Sequence, residues 1–90
     1  MSRKKFHDSL YHLHSELKQH SFTDSHTRKV SDALGQDIAT ILEHPGDVPF
    51  LYHFNLMNTL KQAVLAMETD HPKLTGVLNN VIVTLSNMGI

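Results

Sequence analysis

Eight histidines are spread over this 90-residue chain, and they are its most chemically versatile side chains. An imidazole can ligate a metal, gain a proton near neutral pH or act as a general base. Spacing decides among these. A metal site on a helix needs His or carboxylate ligands three or four residues apart, so that they share a face. His7, His12, His14 and His20 lie five, two and six apart. His7 and His14 share a face two turns apart, and Asp8 with His12 makes only a weak chelating pair. Most of these histidines therefore read as solvated helix-surface residues, and no metal site is expected. His53 is different. It falls near the middle of an apolar helical arc, where a buried or interfacial imidazole with a structural hydrogen bond is expected.

Other chemistry is sparse. The chain has no cysteine, hence no thiol nucleophile and no disulfide framework. It has no G-x-S-x-G elbow and no glycine-rich phosphate loop, and its carboxylates are scattered. The expectation is a protein that is not an enzyme and needs no cofactor. Eight Lys and Arg balance nine Asp and Glu, for a formal net charge of −1. A dedicated nucleic-acid binder usually carries a strong basic excess. Arg3-Lys4-Lys5 reads as a solvated end, and no nucleic-acid partner is expected. No apolar run reaches the roughly 20 residues of a membrane span. The basic start is followed by no apolar segment of a secretory signal. Hence neither membrane nor export is expected, and the location expected is cytoplasmic.

Four amphipathic helices must position these residues. The first, about Lys4 to His20, repeats Phe6, Leu10, Leu13 and Leu17 at coiled-coil spacing. Asp8–His12 and Glu16–His20 are i,i+4 pairs along it. The second extends to about Glu43, with Thr23 or Ser25 suited to cap it and Asp24 favouring its positive end. Its apolar side is Val30, Ala33, Leu34, Ile38, Ile41 and Leu42, and Asp37 falls inside that arc. Asp37 is either a rim carboxylate reaching water or a buried one tied to a neighbouring helix, since an unpaired buried charge is costly.

His44-Pro45-Gly46-Asp47-Val48-Pro49 is the strongest break, where Asp47 can cap the next helix and Pro49 suits a first helical turn. The third helix, to about Thr69, holds the most apolar run of the chain. Phe50, Phe54, Leu56, Met57, Leu60, Ala63, Val64, Leu65 and Met67 sweep roughly 200° of it, against about 100° for an ordinary surface helix. Pro72 starts the last helix after a tight corner, with His71 or Asp70 capping it. Leu74, Val77, Leu78, Val81, Leu85 and Met88 keep helical register through the β-branched run Val81-Ile82-Val83-Thr84, so that run reads as helix with Val83 pointing outward. Gly89 is a natural residue to end a helix on.

His71-Pro72-Lys73-Leu74-Thr75, with Leu78, Leu85 and the closing Asn87-Met88-Gly89-Ile90, resembles a family of small bacterial proteins catalogued as domain of unknown function 4404. Leu10, Leu13, His14, Glu16 and Leu17 and the Asp37-Ile38 pair are also similar to it. The likeness spans nearly the whole chain, though only its last third is specific. The chain departs from the family's usual acidic balance and is richer in His, and 44–58 match least. The resemblance implies a short cytoplasmic bacterial protein and brings no catalytic residues.

The expected fold is all-α: four amphipathic helices as an antiparallel bundle, or a pair of helical hairpins completed by dimerisation, in one domain spanning 1–90. The expected role is a non-catalytic oligomeric module for protein interaction or scaffolding, the rival being a His-based responder to pH or metal. A homodimer is expected, with a further protein partner of unknown identity. Its candidate interface is Phe50, Phe54, Leu56 and Val83, and the candidate buried polar residues are Asp37 and His53. Charging a desolvated His53 would be unfavourable, which predicts a fold or oligomer weakened between pH 7 and pH 5.

Overall fold

A computed structural model describes residues 2–89, the side chains of Ser2 and Arg3 excepted. They form four helices: α1 Ser2–Gln19, α2 Ser25–Leu42, α3 Phe50–Met67 and α4 Pro72–Asn87. Among the described residues there is no strand, and Val81-Ile82-Val83-Thr84 lies within α4. Each helix is about 25 Å long at 1.5 Å per residue, in a body 36 × 21 × 20 Å.

Local chemistry sets the boundaries. Asp24, rather than Thr23 or Ser25, is the N-cap of α2: its extended backbone lets Oδ2 accept from the Thr27 N–H at 2.8 Å. The Thr27 hydroxyl donates to the same oxygen at 2.9 Å. Those bonds favour the carboxylate and hold the Asp24 pKa below its ordinary value. In α3 it is Pro49 that occupies the N-cap, not Asp47, and no side-chain hydrogen bond closes that end. Pro72 does begin α4, where its missing N–H costs nothing. His71 precedes it as N-cap but makes no side-chain cap bond. At the far end, Gly89 takes the left-handed φ of +90° that a side chain resists.

The connections fix the topology. α1 packs against α2 and α4, and α3 against α2 and α4, while the backbones of the diagonal pairs stay apart. At one end Phe6 and His7 of α1 surround a recess with Val48, His53 of α3 and Met88 beyond α4. At the other end His20 and Phe22, after α1, touch His71, before α4. Adjacent helices therefore run antiparallel, in an up-down-up-down bundle. The core is a single cluster drawn from all four helices, including Phe6, Leu10, Leu13, Leu34, Ile38, Ile41, Leu60, Leu74 and Leu78. Each of these large side chains is sealed from solvent and contributes about 1.5–3 kcal/mol relative to exposure.

The wide arc of α3 divides into two surfaces. Leu56, Met57, Leu60, Ala63 and Met67 point into the bundle. Phe50, Phe54 and Leu65 do not; together with Leu51 they stand in solvent.

Candidate functional site

The apolar side chains that the bundle leaves uncovered are concentrated on α3. Phe50 is 63 % exposed, Leu51 60 %, Phe54 48 % and Leu65 74 %. Phe50 and Phe54, one helical turn apart, stack with ring centroids 6.3 Å apart and planes 25° from parallel. Val83, on the neighbouring α4, is 56 % exposed and points outward, as its register requires. Leu56 is a correction. It is fully enclosed in the protein's own core and has no surface to offer a partner, because its position one turn before Leu60 places it on the inner side. Leu51 joins the exposed set although sequence reasoning misses it; it lies about 40° beyond Leu65, just past the edge of the apolar arc and beside Asn58.

Asp37 sits at the seam between α2 and α3. It is half-buried, and its Oδ2 accepts a hydrogen bond from the Thr59 hydroxyl at 2.8 Å. Both alternatives for this residue hold in part: the carboxylate is at the rim, and it is tied to the neighbouring helix. The Asn55 carbonyl oxygen, 3.1 Å from the same hydroxyl, is the competing acceptor. A bonded carboxylate at a half-wet seam fixes the register of two helices; nothing around it forms a paired acid and base.

His53 is half-buried rather than fully enclosed. Its ring meets that of Phe6 across the bundle, centroids 5.4 Å apart and planes 88° to one another. The recess beside it, about 300 Å³, is bordered by Phe6, His7, Asp47, Val48 and Met88. At the opposite end the fold assembles a ring cluster. Phe22 stacks on His20 at 6.1 Å and meets His71 edge-on at 5.0 Å, with the two imidazoles 5.7 Å apart. His20 Nδ1 lies 2.8 Å from the Glu16 backbone carbonyl oxygen, so His20 caps the end of α1 through the backbone and not by pairing with the Glu16 carboxylate. Only the antiparallel topology brings these loops together, which is why spacing along the chain gives no sign of the cluster. Among the described residues, no group of three or more His, Asp or Glu is placed to hold a metal ion.

Lys4 and Lys5 are exposed on α1, whereas the Arg3 side chain lies outside the described residues. Among those residues no helix is long and apolar enough to cross a membrane. With this geometry in hand, comparison by sequence profile finds one family, Domain of unknown function (DUF4404), matching residues 6–90. The chain belongs to that family. Neither the curated proteins nor the solved structures contain a significant match. The DUF4404 match begins at Phe6, the first core residue of α1, and takes in all of α2, α3 and α4. It carries no activity and no site residues, so the reading of function rests on the side chains described above.

Proposed function

We propose that this DUF4404 chain is a non-catalytic cytoplasmic module that works by self-association, as a homodimer presenting a helical scaffold to a further protein partner. One observation carries the reading. A bundle with a sealed core leaves Phe50, Leu51, Phe54 and Leu65 of a single helix in water. Isolated exposed apolar residues need no explanation, but four on one helix, two of them stacked phenylalanines, are the mark of a surface that is covered in use. The chain is also small, a size at which oligomerisation supplements a modest core. Light scattering at tens of micromolar tests the reading: a dimer mass is expected, and a monomer would overturn it.

A second reading, a histidine-based pH responder, has the ring contacts in its favour. His20 and His71 share Phe22 at one end, and His53 meets Phe6 at the other. It requires a weaker fold or oligomer at pH 5.5 than at pH 7, with a smaller change in His53→Gln. Sedimentation and thermal melts at the two pH values check it, and equal responses in both proteins would remove His53 as the sensor.

A further inference from the structure

We propose that the outer face of α3 is covered by α3 of a second copy, running antiparallel about a two-fold axis that passes between Thr59 and Leu60. The inference rests on the self-association reading and gives it a geometry. On the solvent side of α3, Leu51, Phe54, Asn58, Lys61, Leu65 and Glu68 succeed one another at spacings of three, four, three, four and three. That is heptad spacing, with Leu51, Phe54 and Leu65 apolar and Asn58, Lys61 and Glu68 polar, the last lying one residue past the end of α3. All six residues are exposed. The inner seam, with Leu56, Leu60, Ala63 and Met67, is consumed within the bundle. α3 thus carries two seams back to back, and only one has a partner in its own chain.

Charge selects the orientation. A parallel, in-register pair would set Lys61 on the partner's Lys61 and Glu68 on the partner's Glu68, with like charges opposed in two layers. The antiparallel pair separates the two Glu68 by about 25 Å and offsets the two Lys61 by about 4.5 Å along the helix axis, each beside an Asn58 and not directly opposite the other. Phe54 then meets the partner's Leu65, and symmetry repeats that layer on the other side of the axis. Asn58 lies beside the partner's Lys61, whose ammonium can donate to the amide oxygen. Sliding by one heptad in either direction puts Lys61 against Leu51 or Leu65 and forfeits both apolar layers.

The outermost layer adds an electrostatic fit. Leu51 is in the first turn of α3, so the partner's Glu68 arrives at that helix's N-terminus. There the N-cap Pro49 makes no side-chain hydrogen bond, and the first turn holds no acidic residue. A carboxylate is favoured at that positive end, and the antiparallel partner supplies one at each end of the pair. Size agrees as well. Phe50, Leu51, Phe54 and Leu65 together expose on the order of 500 Å² per copy, more than half of the roughly 800 Å² per partner of a standard interface.

Cysteine cross-linking tests the geometry cleanly because the chain has no cysteine of its own. Leu51→Cys and Glu68→Cys both alter exposed positions and leave the core intact. Co-expressed and treated with a short bis-maleimide, they are expected to give a covalent dimer joined between positions 51 and 68. Either variant alone should give none, since identical positions lie about 25 Å apart along the antiparallel pair. Efficient cross-linking of one variant alone would overturn the antiparallel arrangement. A dimer by light scattering with no 51–68 product would overturn the α3 pairing while leaving self-association standing. A monomer would overturn both.

Discussion

The two sides of α3 share a spacing and differ in fate. Leu56, Leu60, Ala63 and Met67 recur at four, three and four residues and are wholly enclosed; Leu51, Phe54 and Leu65 stand in water on a face of the same spacing whose middle positions, Asn58 and Lys61, are polar. Periodicity reports that a face will be covered. What covers it depends on the other helices: α2 and α4 flank α3 on the inner side, and no element of the chain reaches the outer one among the described residues. The contrast extends to helix starts. α2 opens on a bonded Asp24, whereas α3 opens on Pro49 without a side-chain cap.

The largest effect should come from the inner side. Leu60→Ala removes a sealed core side chain and is expected to cost about 2–5 kcal/mol, read by urea denaturation at fixed protein concentration. A loss under about 1 kcal/mol would show that the inner face is looser than its burial implies. At the seam, Asp37→Ala leaves the Thr59 hydroxyl without its cross-helix acceptor. The expected loss is about 1 kcal/mol, with helicity by circular dichroism unchanged. An unaltered melt would mean that the Asn55 carbonyl serves Thr59 equally well.

Leu65→Ala, on the outer side, should change the intrinsic stability of one bundle by less than about 0.5 kcal/mol. Its signature is weaker self-association, seen as a smaller dependence of melting temperature on protein concentration. A loss as large as that of Leu60→Ala would erase the distinction between the two faces. The smallest effect concerns the capped start of α2. The Asp24 pKa is held down by its bonds to Thr27, so its contribution is present above the ordinary carboxylate value near 3.8 and fades as pH falls through the lower folded value. Asp24→Ala should therefore melt lower at pH 7 and fall less steeply between about pH 4 and pH 2, measured by melts across that range.

Much of the fold is legible in the sequence. Heptad-like repeats in α1 and α4 and the prolines at 45, 49 and 72 place four helices to within about two residues, because helix periodicity and proline geometry are local properties. Asp24 is hard to single out because Thr23, Asp24 and Ser25 are all competent caps, and only the backbone angle at Asp24 decides which accepts from Thr27. Leu56 is assigned to the wrong face for a related reason. A broad apolar arc contains both an inner and an outer face, and the dividing line depends on how α3 rotates between α2 and α4. The His20–Phe22–His71 cluster is invisible in the sequence because its members lie in two connections that only the bundle topology brings to one end.

The central claim is that the outer seam of α3 is where two copies meet. Sedimentation equilibrium of the native chain beside Phe54→Glu tests it most directly, because the substitution places a charge on an exposed apolar layer and leaves the core untouched. The expected result is a dimer for the native chain and a monomer of undiminished helicity for Phe54→Glu. A native monomer at tens of micromolar, or a Phe54→Glu protein as dimeric as the original, would contradict it.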